Sequence, residues 1–362
     1  MKGQESNPQI RVLIVDDSAF MRTALSRMIS SDPELRVVGT ASTGLEALQR
    51  MTALDPDVIT LDVQMPVLDG LQTLTRIMAE FPRPVIMVSS VTLKDADTTF
   101  NALAAGAFDY VPKQLSAASL DIFHLQADLI AKIKVAAESR RVHNPLMIPR
   151  KPSRAVAMPV ARGAICAPTM VALGISTGGP KALQDILPTL PADLPVPILV
   201  VQHMPAGFTA PFAKRLDTLC AVTVSEAVHG EVILPGVVYI APAGIHLTVE
   251  RGSARTLICL SDKPEHQLHV PSADVMMQSV ASAFGPQAMG IIMTGMGSDG
   301  AQGMSAIHRE GGLTIGQDEA SCAVYGMPRT CAGMGILDRV VPLAQIPHEI
   351  LLATKYRKAS VS

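Results

Sequence analysis

The sequence predicts an α/β protein of two domains joined by a linker. Three observations support this. Apolar runs alternate with helical patterns in both halves, the periodicity fades between Ala136 and Pro168, and 48% of the 362 residues are hydrophobic while 17% are charged. A chain of this length can bury two or three cores, and its composition excludes general disorder. We assign a first domain to residues 9–135, a linker to 136–168 and a second domain to 169–356.

Charge, hydropathy and cysteines bound the class of protein. The net charge of −2 gives no overall field for nucleic acid or anionic membranes. The sequence has no uninterrupted apolar run of about 18 residues, and its N-terminal segment lacks the apolar core of a secretory signal. The five cysteines are scattered without metal-binding spacing, which predicts reduced thiols. We expect a cytoplasmic monomer that binds no nucleic acid and does not insert into membranes.

Alternating strands and helices predict a doubly wound first domain. Apolar runs and helical patterns follow one another in βα order from Arg11 onward, which predicts a five-stranded parallel sheet with helices on both faces. The predicted strands span residues 12–15, 37–40, 58–61, 85–88 and 108–111, and the predicted helices span residues 19–29, 44–53, 69–80, 95–104 and 116–137.

Polar residues follow four of these strands: Asp16 with Asp17, then Asp62, Ser89 and Lys113. The carboxyl ends of strands in a doubly wound sheet meet in one crevice. Clustered carboxylates need a cation, and hard oxygen ligands suit Mg²⁺. A carboxylate there can attack phosphorus, while a hydroxyl and an ammonium hold the added phosphoryl oxygens. Each Asp alone could instead cap a helix, but the combination favours a phosphate-accepting pocket.

Four segments resemble a response-regulator receiver domain: IVDDSAFMR (14–22), TLDVQMPVLDG (60–70), MVSS (87–90) and DYVPK (109–113). The resemblance implies phosphorylation of Asp62 by a histidine kinase. It implies Mg²⁺ bound by the side chains of Asp16, Asp17 and Asp62 and by the backbone carbonyl of Gln64. It also implies switch roles for Ser89, Tyr110 and Lys113. The chain departs from the family pattern at Gln114, where a proline is usual.

The segment 136–168 contains several prolines and a local excess of Arg and Lys without apolar alternation, which is typical of a linker. The basic residues could also form a nucleic-acid-binding arm, but aromatic residues that would stack on bases are missing. No helix-turn-helix pattern follows, which argues against a transcription factor.

The second domain is organised around VALGISTGGP (171–180). The apolar run predicts a buried strand that ends at Ser176 and Thr177, and the glycines and Pro180 then open a helix over 181–187. A hydroxyl at a strand's carboxyl end lies where open α/β sheets place their chemistry. Free N–H groups at Gly178 and Gly179 suit an oxyanion. Serine and glycine could also serve only to cap the helix.

Two later strands also end in polar residues. The strand 198–201 leads to His203, and the strand 290–294 leads to GMGSDG (295–300), which contains Asp299. A serine needs a base to attack an ester, and a carboxylate can orient that base. In lipases of the α/β-hydrolase type the acidic residue precedes the histidine along the chain, whereas here His203 precedes Asp299, which argues against a lipase. Two other hypotheses remain: a structural histidine, and a phosphate-binding glycine loop at 295–300. A dinucleotide-binding domain would carry its GxGxxG after the first strand, whereas GMGSDG follows a later strand.

The elements between these motifs complete an α/β domain with a mostly parallel sheet. Short strands are predicted at 222–225, 237–241, 246–249 and 256–260, and helices at 208–219, at 272–284 and from residue 301 onward.

Six segments of this half resemble the catalytic domain of the CheB family of chemotaxis protein-glutamate methylesterases: LGISTGGP, VVQHMP, YIAPAGIHL, HVPSADVMMQSV, MTGMGSDGAQGM and GQDEASCAVYGMPR. The resemblance implies a catalytic triad of Ser176, His203 and Asp299. It places the Met296 N–H in the oxyanion hole and Thr177 along the same site. The implied substrates are glutamyl methyl esters of methyl-accepting chemotaxis receptors, with methanol released, some receptor glutamines deamidated and no cofactor for the ester chemistry.

The resemblance also implies that the unmodified receiver restrains the esterase and that phosphorylation of Asp62 by a chemotaxis histidine kinase relieves this restraint. Two alternatives remain open. The second domain could be a non-enzymatic, phosphorylation-dependent adaptor, although an adaptor has no need of Ser176, His203 and Asp299 together. The same esterase could also serve a signalling array other than chemotaxis.

Overall fold

The computed structural model describes residues 9–90, 93–113, 119–142, 166–265 and 267–356. Its contacts divide the chain into two compact units, Met1–Pro149 and Arg150–Ser362. Across the described residues, no helix combines the length and the apolar character that a membrane crossing requires.

The first unit contains a five-stranded sheet in the order β2-β1-β3-β4-β5. Every pair of neighbouring strands is parallel. This confirms the predicted fold class. The strands are β1 (Ile10–Val15), β2 (Leu35–Ala41), β3 (Val58–Asp62), β4 (Val85–Ser89) and β5 (Asp109–Pro112), and the helices are α1 (Ala19–Ser30), α2 (Gly44–Leu54), α3 (Gly70–Glu80), α4 (Leu93–Ala104) and α5 (Ser119–Val142).

The helices of this unit cover both faces of the sheet. Helix α1 contacts α5 on one face, and α3 contacts both α2 and α4. Buried residues of β1, α1 and α5 form one core cluster, which includes Ile14, Ile29 and Leu129. Three helices start with an N-capping residue: Ser18, Thr43 and Asp69. Each of these side chains accepts a hydrogen bond from a backbone N–H group of the first turn, which stabilises the start of the helix.

Helix α5 extends into the segment assigned to the linker. Residues 136–142 are helical, and Ala136 and Ala137 are buried in the core of the first unit. The apolar periodicity fades there because small alanines replace the larger Leu and Ile residues that precede them. The rest of the predicted linker up to residue 165 lies outside the described residues, so the domain limits remain predictions.

The second unit contains a seven-stranded sheet in the order β14-β13-β12-β6-β7-β9-β8, with parallel neighbours throughout. Strands β10 and β11 form a separate antiparallel pair. The strands of the domain as a whole are therefore mostly parallel, as predicted. The strands are β6 (Met170–Ile175), β7 (Ile198–Gln202), β8 (Thr223–Glu226), β9 (Val237–Ile240), β10 (His246–Arg251), β11 (Thr256–Ser261), β12 (Ala288–Ile292), β13 (Leu313–Gln317) and β14 (Arg339–Val341).

The helices of the second unit are α6 (Gly179–Ile186), α7 (Thr209–Leu219), α8 (Ala273–Phe284), α9 (Ala301–Arg309), α10 (Met327–Gly333) and α11 (Ile346–Ala353). Short 3₁₀ helices occupy Leu187–Thr189, Gly285–Gln287 and Leu343–Gln345. Helix α8 packs beneath β6 and β12 and contributes Met276, Met277 and Val280 to the main core.

The loop from β3 to α3 contains a strained residue. Val67 has φ +72° and is 84% exposed, so it adopts a left-handed conformation with little packing to compensate. A β-branched side chain disfavours this conformation, which asparagine tolerates. We expect Val67→Asn to raise the free energy of unfolding of the first domain by about 1 kcal/mol, measured by urea denaturation of the full chain.

Val67→Ala is the matched control for this prediction. Alanine keeps the Cβ that makes the left-handed region unfavourable, so it should gain less stability than asparagine. Equal stability of the parent and Val67→Asn would contradict the assignment of strain to this position.

Candidate active site

Ser176 and His203 lie side by side at the carboxyl edge of the second sheet. Strands β6 and β7 are parallel neighbours in which Ile175 pairs with Gln202, so the serine and the histidine are the next residue of each strand. The His203 N–H donates to the Ile175 carbonyl at 3.2 Å. The sheet register therefore brings these two predicted residues together at the edge where open α/β sheets place ligands.

The turn after Ser176 depends on its glycines. Gly178 has φ +74°, and a Cβ there would lie 2.5 Å from Ala323 Cβ. The Gly179 N–H donates to the Ser176 carbonyl at 2.8 Å, where helix α6 begins. The hypothesis that both glycine N–H groups face an oxyanion is therefore wrong for Gly179, because its N–H closes the turn.

The loop after β12 approaches Ser176 from the other side. The Ser176 N–H donates to the Thr294 carbonyl at 2.9 Å. A Cβ at Gly295 would lie 2.8 Å from Ser176 Cβ, so only glycine fits there. Met296 follows directly and is 37% exposed. Thr177 is buried, and its carbonyl accepts a hydrogen bond from Thr294 Oγ1 at 2.9 Å.

The same loop carries Asp299 to His203. The distance from His203 Nε2 to Asp299 Oδ2 is 2.7 Å, and the two side chains are 11% and 9% exposed. His203 Nδ1 is buried and has no hydrogen-bond partner within the described part of the chain. With the carboxylate on Nε2, the proton lies there, and Nδ1 is the ring nitrogen with a free lone pair.

The carboxylate of Asp299 lies at the N-terminus of helix α8. Ser272 Oγ donates to Oδ1 at 2.7 Å, the Ala273 N–H to Oδ2 at 2.7 Å and the Asp274 N–H to Oδ1 at 3.1 Å. Burial raises the pKa of Asp299, but the hydrogen bonds and the His203 ring outweigh burial and hold this pKa below its ordinary value. The aspartate therefore stays ionised beside the histidine at neutral pH.

Ser272 and His269 belong to this site and were not singled out from the sequence. Ser272 also caps helix α8, and its position before an apolar helical pattern was the available indication. His269 stacks on His203 with ring centroids 4.1 Å apart and an interplanar angle of 16°. This stacking joins residues distant in the chain, so periodicity could not predict it.

The acidic residues of the first unit also come together. Asp16, Asp17 and Asp62 each offer a carboxylate oxygen, and these oxygens lie within 4.8 Å of one another. Lys113 Nζ lies 2.6 Å from Asp62 Oδ2 and 3.0 Å from Asp16 Oδ2. Burial raises the pKa of Asp62 to about 6, although Lys113 acts in the opposite direction. A set of clustered hard oxygen donors fits Mg²⁺.

The structure places the remaining predicted residues of the first unit on strands β4 and β5 and in the loop after β3. The Gln64 N–H donates to Asp62 Oδ1 at 3.2 Å. Ser89 is buried, and its Oγ accepts a hydrogen bond from Thr99 Oγ1 of α4 at 2.8 Å. Tyr110 is buried, with Lys132 Nζ 5.5 Å from its ring centroid. Gln114 lies outside the described residues.

Comparisons with known proteins cover both units. The CheB methylesterase family matches residues 171–350, and the response regulator receiver domain matches residues 12–122. The protein-glutamate methylesterase/protein-glutamine glutaminase 2 of Nitratidesulfovibrio vulgaris is 46% identical over 361 residues, covering 94% of this chain and 98% of that protein. The protein-glutamate methylesterase/protein-glutamine glutaminase of Pyrococcus horikoshii is 44% identical over 354 residues, covering 96% and 94%.

A solved structure is similar to the second unit. The crystal structure of the Thermotoga maritima CheB methylesterase catalytic domain is 37% identical to this chain, with a TM-score of 0.50. The match covers 52% of this chain and 99% of that one.

Proposed function

Because this chain belongs to the CheB methylesterase family, we propose that it hydrolyses glutamyl methyl esters of methyl-accepting chemotaxis receptors with Ser176, His203 and Asp299 as its catalytic triad. The class of enzyme, a protein-glutamate methylesterase and protein-glutamine glutaminase with a receiver domain, follows from family membership. The triad mechanism, the receptor substrates and the control by phosphorylation are the proposed parts.

The observation that carries the proposal is the contact between His203 and Asp299. The Asp299 carboxylate accepts a hydrogen bond from His203 Nε2 at 2.7 Å. The buried Nδ1 of His203 is then the nitrogen that can act as a base. His203 also follows the strand beside that of Ser176. A base of this kind can remove the serine proton as the hydroxyl attacks, which a serine at neutral pH requires.

The reaction proceeds in two stages, formation of an acyl-enzyme and its hydrolysis. Ser176 Oγ forms a bond to the ester carbonyl carbon while its proton moves to His203 Nδ1. The tetrahedral intermediate then breaks its bond to the methoxy oxygen, which leaves as methanol with the proton from His203. Water, deprotonated by the same nitrogen, attacks the acyl-enzyme and releases the glutamate carboxylate and free Ser176. With a glutamine substrate, ammonia is the leaving group.

Asp299 and Met296 stabilise the charges that form in this reaction. The ionised Asp299 faces the imidazolium that His203 becomes, and it holds the proton on Nε2. Met296 follows Gly295, which packs against Ser176, so its N–H is proposed as an oxyanion donor. Thr177, the residue after the nucleophile, lines the same edge of the sheet.

The receiver pocket is proposed to control this activity. Asp16, Asp17, Asp62 and the Gln64 carbonyl would hold Mg²⁺, which neutralises the clustered carboxylates and the incoming phosphoryl charge. Asp62 accepts a phosphoryl group from a chemotaxis histidine kinase, and Lys113 pairs with the added oxygens. A phosphoryl group adds about −1.5 to −2 charge, enough to move Ser89 and its neighbours to a second arrangement.

Removing the phosphoacceptor tests this control. We expect Asp62→Asn to retain the basal rate of methanol release and to lose its stimulation by a small-molecule phosphodonor with Mg²⁺, because no carboxylate remains to form the acyl phosphate. Methanol release is measured with and without the donor.

Asp69→Asn is the matched control. Asp69 is an exposed N-cap of α3 in the same domain, and asparagine is an equally good cap, so stimulation should persist. Equal stimulation of Asp62→Asn and the parent would rule out Asp62 as the phosphoacceptor.

Methylated receptor membranes provide the direct assay of the proposed function. Methanol release by the parent, lost in Ser176→Ala, is the expected result. A folded parent that binds methylated receptors and releases no methanol would instead favour the adaptor.

A further inference from the structure

A buried amide lies between the two residues that begin the chemistry. Gln202 ends strand β7, whose other residues are Ile198, Leu199, Val200 and Val201, and it is only 1% exposed. Burying an amide costs free energy unless its polar atoms are paired. We therefore expect a glutamine in this apolar strand to make specific hydrogen bonds.

Both hydrogens of the Gln202 amide are used on the candidate site. Nε2 donates to the Ser176 carbonyl at 3.0 Å and to the His203 carbonyl at 2.9 Å. These two residues directly follow the last register pair of β6 and β7, Ile175 with Gln202. The amide thus links the backbone of the nucleophile to the backbone of the base.

The other end of the side chain shows that packing alone does not explain this glutamine. Oε1 is buried and accepts no hydrogen bond from any described residue. An unpaired buried acceptor is costly, and a methionine would fill the same volume without that cost. The two hydrogen bonds that Nε2 donates offset the free-energy cost of the unpaired Oε1.

Gly179 leaves the space that this amide occupies. A Cβ at position 179 would lie 1.9 Å from Gln202 Oε1. The same glycine donates its N–H to the Ser176 carbonyl, so that carbonyl receives hydrogen bonds from both Gly179 and Gln202. The turn that carries Ser176 is therefore built around the amide.

We propose that Gln202 is a positioning residue that sets the separation of Ser176 and His203 for ester hydrolysis. This inference rests on the proposed function, in which Ser176 is the nucleophile and His203 the base. The Gln202 amide donates to backbone carbonyls and not to the Ser176 hydroxyl or the His203 ring. It acts through the two backbone carbonyls that it holds.

The first test is Gln202→Met in the full-length protein. Methionine keeps the volume and removes both donors. We expect kcat for methanol release to fall roughly tenfold to a hundredfold, the scale of effect of a misplacement of about 1 Å. KM and the melting temperature should stay close to the parent values, since the unpaired acceptor disappears with the donors. A fluorophosphonate probe should label Ser176 more slowly by a similar factor.

Gln184→Met is the matched control. Gln184 lies on α6 of the same domain, donates to the Pro180 carbonyl and accepts from Arg215, away from both triad carbonyls. Its replacement should leave kcat and the labelling rate unchanged.

A second pair of variants tests the same idea from the opposite side. Gly179→Ala should displace the Gln202 amide and lower kcat, although residue 202 is still glutamine. The same alanine should cost less in a Gln202→Ala background, where the conflicting Oε1 is absent. Equal, additive effects in the two backgrounds would contradict the proposed role.

The outcomes separate this inference from the proposed function. A parent that releases no methanol defeats the function itself. A parent that is active, with a folded Gln202→Met protein of parental kcat and labelling rate, overturns the positioning role alone. A Gln202→Met protein that does not fold assigns the amide to stability and overturns that role as well.

Discussion

Ser176→Ala is expected to lower methanol release from methylated receptors by roughly 10⁴- to 10⁶-fold, the range for loss of a serine nucleophile in other hydrolases. Without the hydroxyl there is no acyl-enzyme, and His203 can only assist direct attack by water. The fold should persist, because the hydrogen bonds that hold this turn use the Ser176 backbone, including those to Thr294 and from Gly179. Methanol release under single-turnover conditions, together with a receptor co-sedimentation assay, measures both activity and binding.

Ser279→Ala is the control for this substitution. Ser279 is a half-buried serine on α8 whose Oγ donates to the Met276 carbonyl, and its loss should change methanol release little. Turnover by Ser176→Ala near the parental rate would remove Ser176 as the nucleophile. Loss of activity in both serine variants would point to a general loss of structure.

Asp299→Asn is expected to lower kcat by roughly 10⁴-fold, as the equivalent change does in a serine protease triad. An asparagine amide that donates to His203 Nε2 forces the ring proton onto Nδ1, the nitrogen that must accept the serine proton. The amide also cannot accept hydrogen bonds on both of its atoms from Ser272 and Ala273. Nitrogen NMR of the histidine ring, together with kcat, distinguishes the wrong tautomer from simple misfolding.

Asp274→Asn provides the matched control. Asp274 is a neighbouring half-buried carboxylate that accepts from the Gly303 N–H and does not contact His203 through its side chain. Its kcat should remain within a few-fold of the parent. Parental kcat in Asp299→Asn would show that His203 needs no carboxylate partner.

The sequence was sufficient to predict the fold of the first domain. Apolar runs such as VLIV (12–15) and VIMV (85–88) mark its strands, and Ser18, Thr43 and Asp69 mark helix starts. In the second domain the prediction stopped at the helix that begins at Ala301. Strand β14 has only three residues, Arg339–Val341, and a run of that length has no measurable period.

The candidate site was predictable as a set of residues and not as an arrangement. Consecutive parallel strands place Ser176 beside His203, which strand order alone suggests. The ring nitrogen that meets Asp299 depends on side-chain orientation across 96 positions of sequence. The donors from Ser272 and the start of α8 likewise arise from tertiary packing. The same holds for Gln202, whose amide reaches a carbonyl 26 residues away.

The most direct test of the account is methanol release from membranes that carry methylated chemotaxis receptors, measured with and without a small-molecule phosphodonor and Mg²⁺. We predict release by the parent that rises when the donor is added. Release that does not respond to the donor would contradict control by the receiver while keeping the esterase. Absence of release from several methylated receptors, with folded protein in both conditions, would contradict the central claim.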